Sequence, residues 1–341
     1  MKSLPAVRRA WITSRGEELV RMDLVRDGQP LPLILKPAVS EVNLLGWAAS
    51  NLVLLESLLL KHGAILFRGF AIKSVNEFEQ FISVVSGGAI KYQERSSPRT
   101  EVIGNIYTST DYPADQRIFL HNEQSYNLHF PLKIFFFCVT PPDRGGETPL
   151  ADTRKVFQRI ERRVRERLIA KKYMYVRHFG EGLGLTWQAA FQTQSRAQVE
   201  TYCREQEIEF EWKDENHLKT RQVRRLAARH PRTGEMVWFN HLTFFHVSTL
   251  DPTLQHLLLA TFKEEDLPNN TYYGDGTPIE PAVLDHLRCC LSREMATFRW
   301  QQADLLLADN MLTAHGRAPF SGARQVVVGM ADLCSWHDVQ A

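Results

Sequence analysis

The sequence predicts an α+β protein with a jelly-roll core of β-strands, helical additions and a mid-chain insertion. Three observations predict it. Helical periodicities are grouped before about residue 172. Short runs rich in β-branched and aromatic residues gather late in the chain. Clusters of Gly, Pro and Asp punctuate them. Grouped rather than alternating elements point to a sheet packed on a sheet with helices segregated around it.

The elements follow in order. Residues 44–61 have apolar side chains at helical spacing, and Gly63 is the expected stop. Ala64-Ile65-Leu66-Phe67-Arg68-Gly69-Phe70 reads as a buried strand. Ser74 is the expected N-cap of a helix reaching Val85. Ile134-Phe135-Phe136-Phe137-Cys138-Val139 reads as a central strand, ended by Pro141-Pro142-Asp143-Arg144-Gly145-Gly146. Asp152 is the expected cap of a helix running to about Lys172, with Val156, Ile160, Val164 and Leu168 on one face. Residues 180–222 mix short helical and extended patterns and are expected to form the insertion. Pro231-Arg232-Thr233-Gly234 looks like a hairpin turn, and residues 268–281 read as loop. Residues 298–300, 304–308 and 325–331 read as strands.

The 341 residues are 44% hydrophobic and 23% charged, enough for a sizeable core. A single domain over residues 1–341 is expected, its core spanning about 60–335. A net charge of +2 supplies no electrostatic reason for a nucleic-acid partner. The first nine residues lack the apolar run of a signal peptide, and no stretch has the length of a membrane span. Five scattered cysteines without a CxxC pair fit a reducing cytoplasm.

The chemistry concentrates in two places. Leu120-His121-Asn122-Glu123 offers an imidazole and a carboxylate two residues apart, a spacing that puts both on one side of an extended segment. Asp309-Asn310-Met311-Leu312-Thr313-Ala314-His315-Gly316-Arg317 offers a second imidazole, and Arg324 follows. Two imidazoles and one carboxylate hold iron(II) on one face and leave three positions open for a chelating oxo-acid and an oxidant. Arg324 can fork onto a distant carboxylate through two parallel bonds, and Thr148 adds a hydroxyl donor.

His121-Asn122-Glu123, Gly145-Gly146-Glu147-Thr148-Pro149-Leu150-Ala151-Asp152 and the stretch from His315-Gly316-Arg317 to Arg324 together resemble the TauD/TfdA superfamily of iron(II)/2-oxoglutarate dioxygenases. Leu66-Phe67-Arg68-Gly69-Phe70 and Val237-Trp238-Phe239-Asn240 bring the resemblance closest to its SyrP-like branch, tailoring enzymes of nonribosomal peptide pathways. The resemblance implies a double-stranded β-helix core. It implies His121, Glu123 and His315 as metal ligands, with Thr148 and Arg324 on the far carboxylate of 2-oxoglutarate. The implied cofactors are Fe(II), 2-oxoglutarate and O2. Members more often carry Asp where Glu123 stands, and some have a second arginine where this chain has Val328. Halogenating relatives replace the carboxylate by a small residue, so Glu123 implies oxygenation or desaturation.

The expected activity is hydroxylation of an unactivated carbon in an amino acid or peptide-like metabolite, free or tethered to a carrier protein, in natural-product biosynthesis. Desaturation, epoxidation and cyclisation use the same cofactors. Two other classes are a zinc hydrolase, for which the HExxH spacing is missing, and a non-catalytic barrel that binds a small molecule or a partner. Asn105, Tyr107, Tyr126, His241 and His246 are candidate substrate contacts, with ordinary packing the competing explanation for each. Arg159, Arg162, Arg163, Arg165 and Arg167 form either a solvated helix face or a dock for an acidic carrier protein.

Overall fold

The computed structural model describes residues 10–14, 17–26, 29–92, 94, 96, 99–109, 112–180 and 184–340. The reading of residues 1–9, and residues 181–183 of the expected insertion, lie outside them. Two sheets build the centre of this mixed α/β fold. The larger runs in the order Ala10–Ser14, Glu17–Arg26, Gln29–Pro37, Ala64–Phe67, Leu305–Asp309, His129–Thr140, Gln325–Ser335, Ile106–Thr108, Glu101–Ile103. Among the described residues, only the pair Gln29–Pro37 and Ala64–Phe67 is parallel. The smaller runs Met295–Ala296, Leu150–Asp152, Thr313–Arg317, Ile118–His121.

The unbroken apolar run at 134–138 is explained by burial on both faces, because successive side chains point to opposite sides of a sheet. Phe135 and Phe137 join Leu305, Leu307 and Val327 beneath the helices, packed against Phe78, Phe81 and Ile82. Ile134, Phe136 and Cys138 point the other way, joining Leu306, Val326 and Val328 against Leu150 and Ala296 of the smaller sheet. A third sheet, Glu209–Trp212, Leu218–Arg224, Tyr173–Phe179, Asn269–Tyr273, carries its own apolar cluster around Trp187, Val199 and Cys203.

Several elements differ from expectation. The helix expected over 44–61 is two helices, Leu44–Ser50 and Leu52–His62, meeting at 89°. Asn51 leaves helical geometry, and its side chain donates to the Trp47 carbonyl at 2.8 Å. The bend brings Leu44 and Trp47 of one helix and Leu55 and Leu59 of the other to the same core. The helix expected after Asp152 also divides, into Thr153–Arg159 and Arg162–Lys171, because Ile160 turns extended while keeping its side chain buried. Asp152 does cap it, accepting from the Arg154 amide at 3.0 Å. Ser74 likewise caps Val75–Ser86.

Residues 269–273, expected as loop, pair with Tyr173–Phe179, their buried side chains including the polar Asn270 and Thr271. Residues 298–300 are irregular; Phe298 and Trp300 are buried by packing rather than by pairing in a sheet. The strands are not confined to the late chain, since Gln29–Pro37 and its neighbours extend one edge of the larger sheet. Among the described residues, no single helix is long and apolar enough to cross a membrane.

Phe135 is fully buried on the central strand. Phe135→Ala should cost about 3–5 kcal/mol, read as a lowered urea midpoint with an unchanged slope.

Candidate metal centre

Strand pairing builds the site. Ile118–His121 lies antiparallel to Thr313–Arg317, with His121 directly opposite His315. Their ring centroids are 4.6 Å apart. This approach depends on Gly316, where a Cβ would stand 2.6 Å from the Ile118 carbonyl oxygen. Glu123 does not continue the strand, as the alternation argument expected. It sits in the following turn, and that turn is held by Asn310. The Asn310 side chain accepts from the Glu123 amide at 2.8 Å and donates to the carbonyls of Glu123 and Pro131, each at 2.8 Å. Asn122 in return donates to the Asn310 carbonyl at 2.6 Å.

One ligand atom from each of His121, Glu123 and His315 lies within 4.8 Å of the others. His121 Nδ1 donates to the Phe119 carbonyl at 2.8 Å, which leaves Nε2 with its lone pair for a metal. His315 Nδ1 is buried with no hydrogen-bond partner. Burial lowers the pKa of His121, opposed in part by Glu123. Burial, then the neighbouring His121, holds His315 well below the ordinary range. Neutral imidazoles beside a carboxylate are what a divalent metal requires of its ligands, so the donor set fits iron(II).

Two cavities meet here. The first, of about 40 Å³, has His121 and His315 in its lining together with Thr148, Ser109, Arg324 and Val328. Arg324 lies just before Gln325–Ser335 rather than within it. Its Nε donates to the Gly146 carbonyl at 3.1 Å and its Nη1 to Ser109 at 3.2 Å. Gly146 has φ of +68°, and a Cβ there would press on the Arg324 side chain at 3.1 Å, which accounts for one glycine of the Gly-Gly pair. Burial, then the nearby Arg317, pushes the Arg324 pKa down to about 10, so it stays cationic at neutral pH. Trp300 donates to the Thr148 hydroxyl at 3.1 Å, leaving the hydroxyl proton to be donated onward. Arg317 also borders this cavity, but its guanidinium donates to the carbonyls of Tyr112, Pro113 and Gln116.

The second cavity, of about 500 Å³, is a cleft reaching His121 and Glu123, lined by Phe244, Phe245, Leu185, Leu250, Arg99, Arg117 and Asn269 among others. Of the candidate substrate contacts, His241 lines it. The His241 ring is 5.2 Å from that of His121, and burial keeps its pKa well below ordinary. The others are not in the lining of either cavity. Asn105 holds the Ala89 carbonyl at 2.7 Å. Tyr107 is buried in the core and accepts from the Tyr92 amide at 3.3 Å. Tyr126 is fully buried and donates to the Glu94 carbonyl at 3.0 Å. His246 caps the short helical turn Val247–Thr249 through the Ser248 amide. Sequence reasoning missed Arg99, whose Nη2 donates to Glu123 Oε2 at 2.7 Å, and the anchoring role of Asn310. No spacing pattern marks Arg99, whereas Asn310 follows the Asp309 turn that leads to His315.

Comparison with known proteins adds the following. Residues 28–331 match the family described as "Taurine catabolism dioxygenase TauD, TfdA family". The chain is 39% identical over 278 residues to the dapdiamide synthesis protein DdaC of Enterobacter agglomerans, across 82% of this chain and 84% of that protein. It is 30% identical over 290 residues to a clavaminate synthase-like protein of Arabidopsis thaliana, with coverage of 82% and 84%. Among solved structures, PvcB from Pseudomonas aeruginosa shares the fold, with a TM-score of 0.57 at 17% identity over 97% of this chain and 96% of that one.

Asn310→Ala strands several buried backbone groups, at about 1–3 kcal/mol each. The expected result is a lower melting temperature together with iron(II) affinity reduced about 10–100-fold, measured by anaerobic titration.

Proposed function

The chain belongs to the TauD/TfdA family of iron(II)/2-oxoglutarate-dependent dioxygenases, and from that premise we propose that it hydroxylates an unactivated carbon of an amino acid or peptide-like metabolite. This membership takes the place of the zinc-hydrolase and non-catalytic alternatives. The observation that carries the reading is the cluster of His121, Glu123 and His315 donor atoms at the wall between two cavities.

In this reading His121, Glu123 and His315 hold the iron. Iron(II) with 2-oxoglutarate and dioxygen supplies the oxidising power for the C–H bond, coupled to loss of carbon dioxide and formation of succinate. The residues of the chain orient and shield. Arg324 and the Thr148 hydroxyl, both lining the smaller cavity, would take the far carboxylate of 2-oxoglutarate. Val328 supplies no cation there; Ser109 and Gly146 fix the direction of Arg324, while the Arg317 guanidinium at the same cavity is held by backbone carbonyls. The larger cleft receives the substrate, where Phe244, Phe245, Leu185 and Leu250 exclude water and Arg99, Arg117 and Asn269 offer polar contacts.

The size and mixed lining of the cleft support an amino-acid or peptide-like substrate, as does the relative described as a dapdiamide synthesis protein. The same features support a place in natural-product biosynthesis. Desaturation, epoxidation and cyclisation are alternative outcomes of the same chemistry. We read the facing sheets as a double-stranded β-helix within one domain, with the insertion at about 180–222 contributing Gly184 and Leu185 to the cleft. Five cysteines as thiols are in keeping with a cytoplasmic enzyme.

A free substrate is the better-supported form. On the two basic helices, Arg159 pairs with Glu294, Arg162 with Glu166 and Arg167 with Glu280, Arg165 donates to the Phe157 carbonyl, and Arg163 is exposed. Four of the five arginines thus have partners within this chain, which weakens the case for an acidic carrier protein docking there.

Anaerobic addition of iron(II) and 2-oxoglutarate should give a weak visible charge-transfer band, and its absence under saturating ligand overturns the assignment. Arg324→Ala should weaken 2-oxoglutarate binding by about 2–3 kcal/mol, read by titrating that band. A succinate-release screen over amino acids, free and carrier-loaded, should show turnover with a free member. Turnover with carrier-loaded forms alone would replace the free-substrate reading.

A further inference from the structure

We infer that Arg99 is a positioning residue that limits Glu123 to binding the metal through one oxygen, and so preserves the open coordination positions that the reaction uses. This rests on the iron reading above and concerns residues that no motif marked.

The argument begins with the ion pair itself. Arg99 Nη2 donates to Glu123 Oε2 at 2.7 Å, with side chains only 6% and 3% exposed. A guanidinium buried beside a divalent cation is repelled unless an anion lies between them. A carboxylate meets that condition when one oxygen faces each cation. Oε2 is the oxygen that faces Arg99, which leaves Oε1 for the metal.

The coordination count gives this division its consequence. Three protein donors on an octahedral ion leave three positions. A chelating oxo-acid takes two and dioxygen needs the third. A glutamate with three rotatable bonds can swing to chelate the ion through both oxygens, and one required position is then lost. Fixing Oε2 prevents that swing.

Arg99 is itself fixed. Its guanidinium lies over the Tyr92 ring at 4.7 Å, a cation–π contact. Tyr92 is fully buried, tilted against Tyr107 at 6.0 Å, and its amide donates to the Tyr107 hydroxyl. Tyr107 thus supports the centre through Tyr92 and Arg99. Arg99 also lines both cavities, so it stands where the oxo-acid and substrate compartments meet.

The test uses the full chain carrying Arg99→Gln, Arg99→Lys or Tyr92→Leu, each checked for folding by circular dichroism. Iron(II) stoichiometry, the anaerobic 2-oxoglutarate titration and the d–d spectrum of the cobalt(II) form are measured. With Arg99→Gln, iron should still bind one to one, 2-oxoglutarate affinity should fall about 10–100-fold, the scale of groups that orient metal ligands, and the cobalt spectrum should shift. Arg99→Lys, which keeps a cation, should recover most of that affinity. Tyr92→Leu, which keeps the pair but loosens the guanidinium, should give a smaller loss in the same direction. It decides the matter if Arg99→Gln does not fold.

Wild-type 2-oxoglutarate affinity and an unshifted cobalt spectrum in folded Arg99→Gln overturn the inference. So does wild-type affinity in Tyr92→Leu when it is the deciding variant. A loss in Arg99→Gln that lysine does not rescue also overturns it, because the role is then general packing. A wild-type chain that binds iron yet gives no band with 2-oxoglutarate sinks the functional reading instead.

Discussion

The pairing of Ile118–His121 with Thr313–Arg317 is the constraint on which the site depends. It sets two imidazoles, nearly two hundred residues apart in the chain, opposite each other on one short sheet. The pairing rests on the smaller sheet packing against the larger one, where Phe136 lies 5.2 Å from the His315 ring. The apolar run through the central strand is therefore a positioning device as well as a core. One face carries the helices, and the other closes the floor beneath the candidate metal ligands.

Burial suits His121 and His315 to metal binding and also makes them costly to hold. Desolvation favours the neutral forms of His121, His315 and His241, which suits metal binding but makes unsatisfied polar groups nearby costly. The fold answers with short polar links across the chain. Asn310 ties the Glu123 turn to the strand beginning at His129. Asp309 caps its own turn and accepts from His230 at 3.0 Å. Gly146 and Ser109 orient Arg324. Asn310, Asp309 and His230 are in the lining of neither cavity, whereas Ser109 and Arg324 line the smaller one.

Much of the fold was legible because it follows from local rules. The capping of Val75–Ser86 by Ser74, the cap at Asp152 and the hairpin joining Ala227–Arg229 to Met236–Trp238 all stand as expected. The failures share a cause. Apolar periodicity continues through Asn51 and Ile160, but tertiary packing bends the backbone there to bring two helices onto one core. The strand Asn269–Tyr273 was hidden because its buried Asn270 and Thr271 are polar, and their burial follows from a neighbouring strand.

By itself the sequence determined the chemistry on offer: two histidines, a glutamate and a following arginine in an order that iron and an oxo-acid can use. It could do so because coordination demands particular atoms, and few residue types supply them. Tertiary structure alone decided which other side chains meet that set. Arg99 reaches Glu123 and Asn310 anchors it, while Tyr107 and Tyr126 turn away into the core. Contacts of that kind join distant segments through burial and hydrogen bonding, and neither leaves a spacing pattern along the chain.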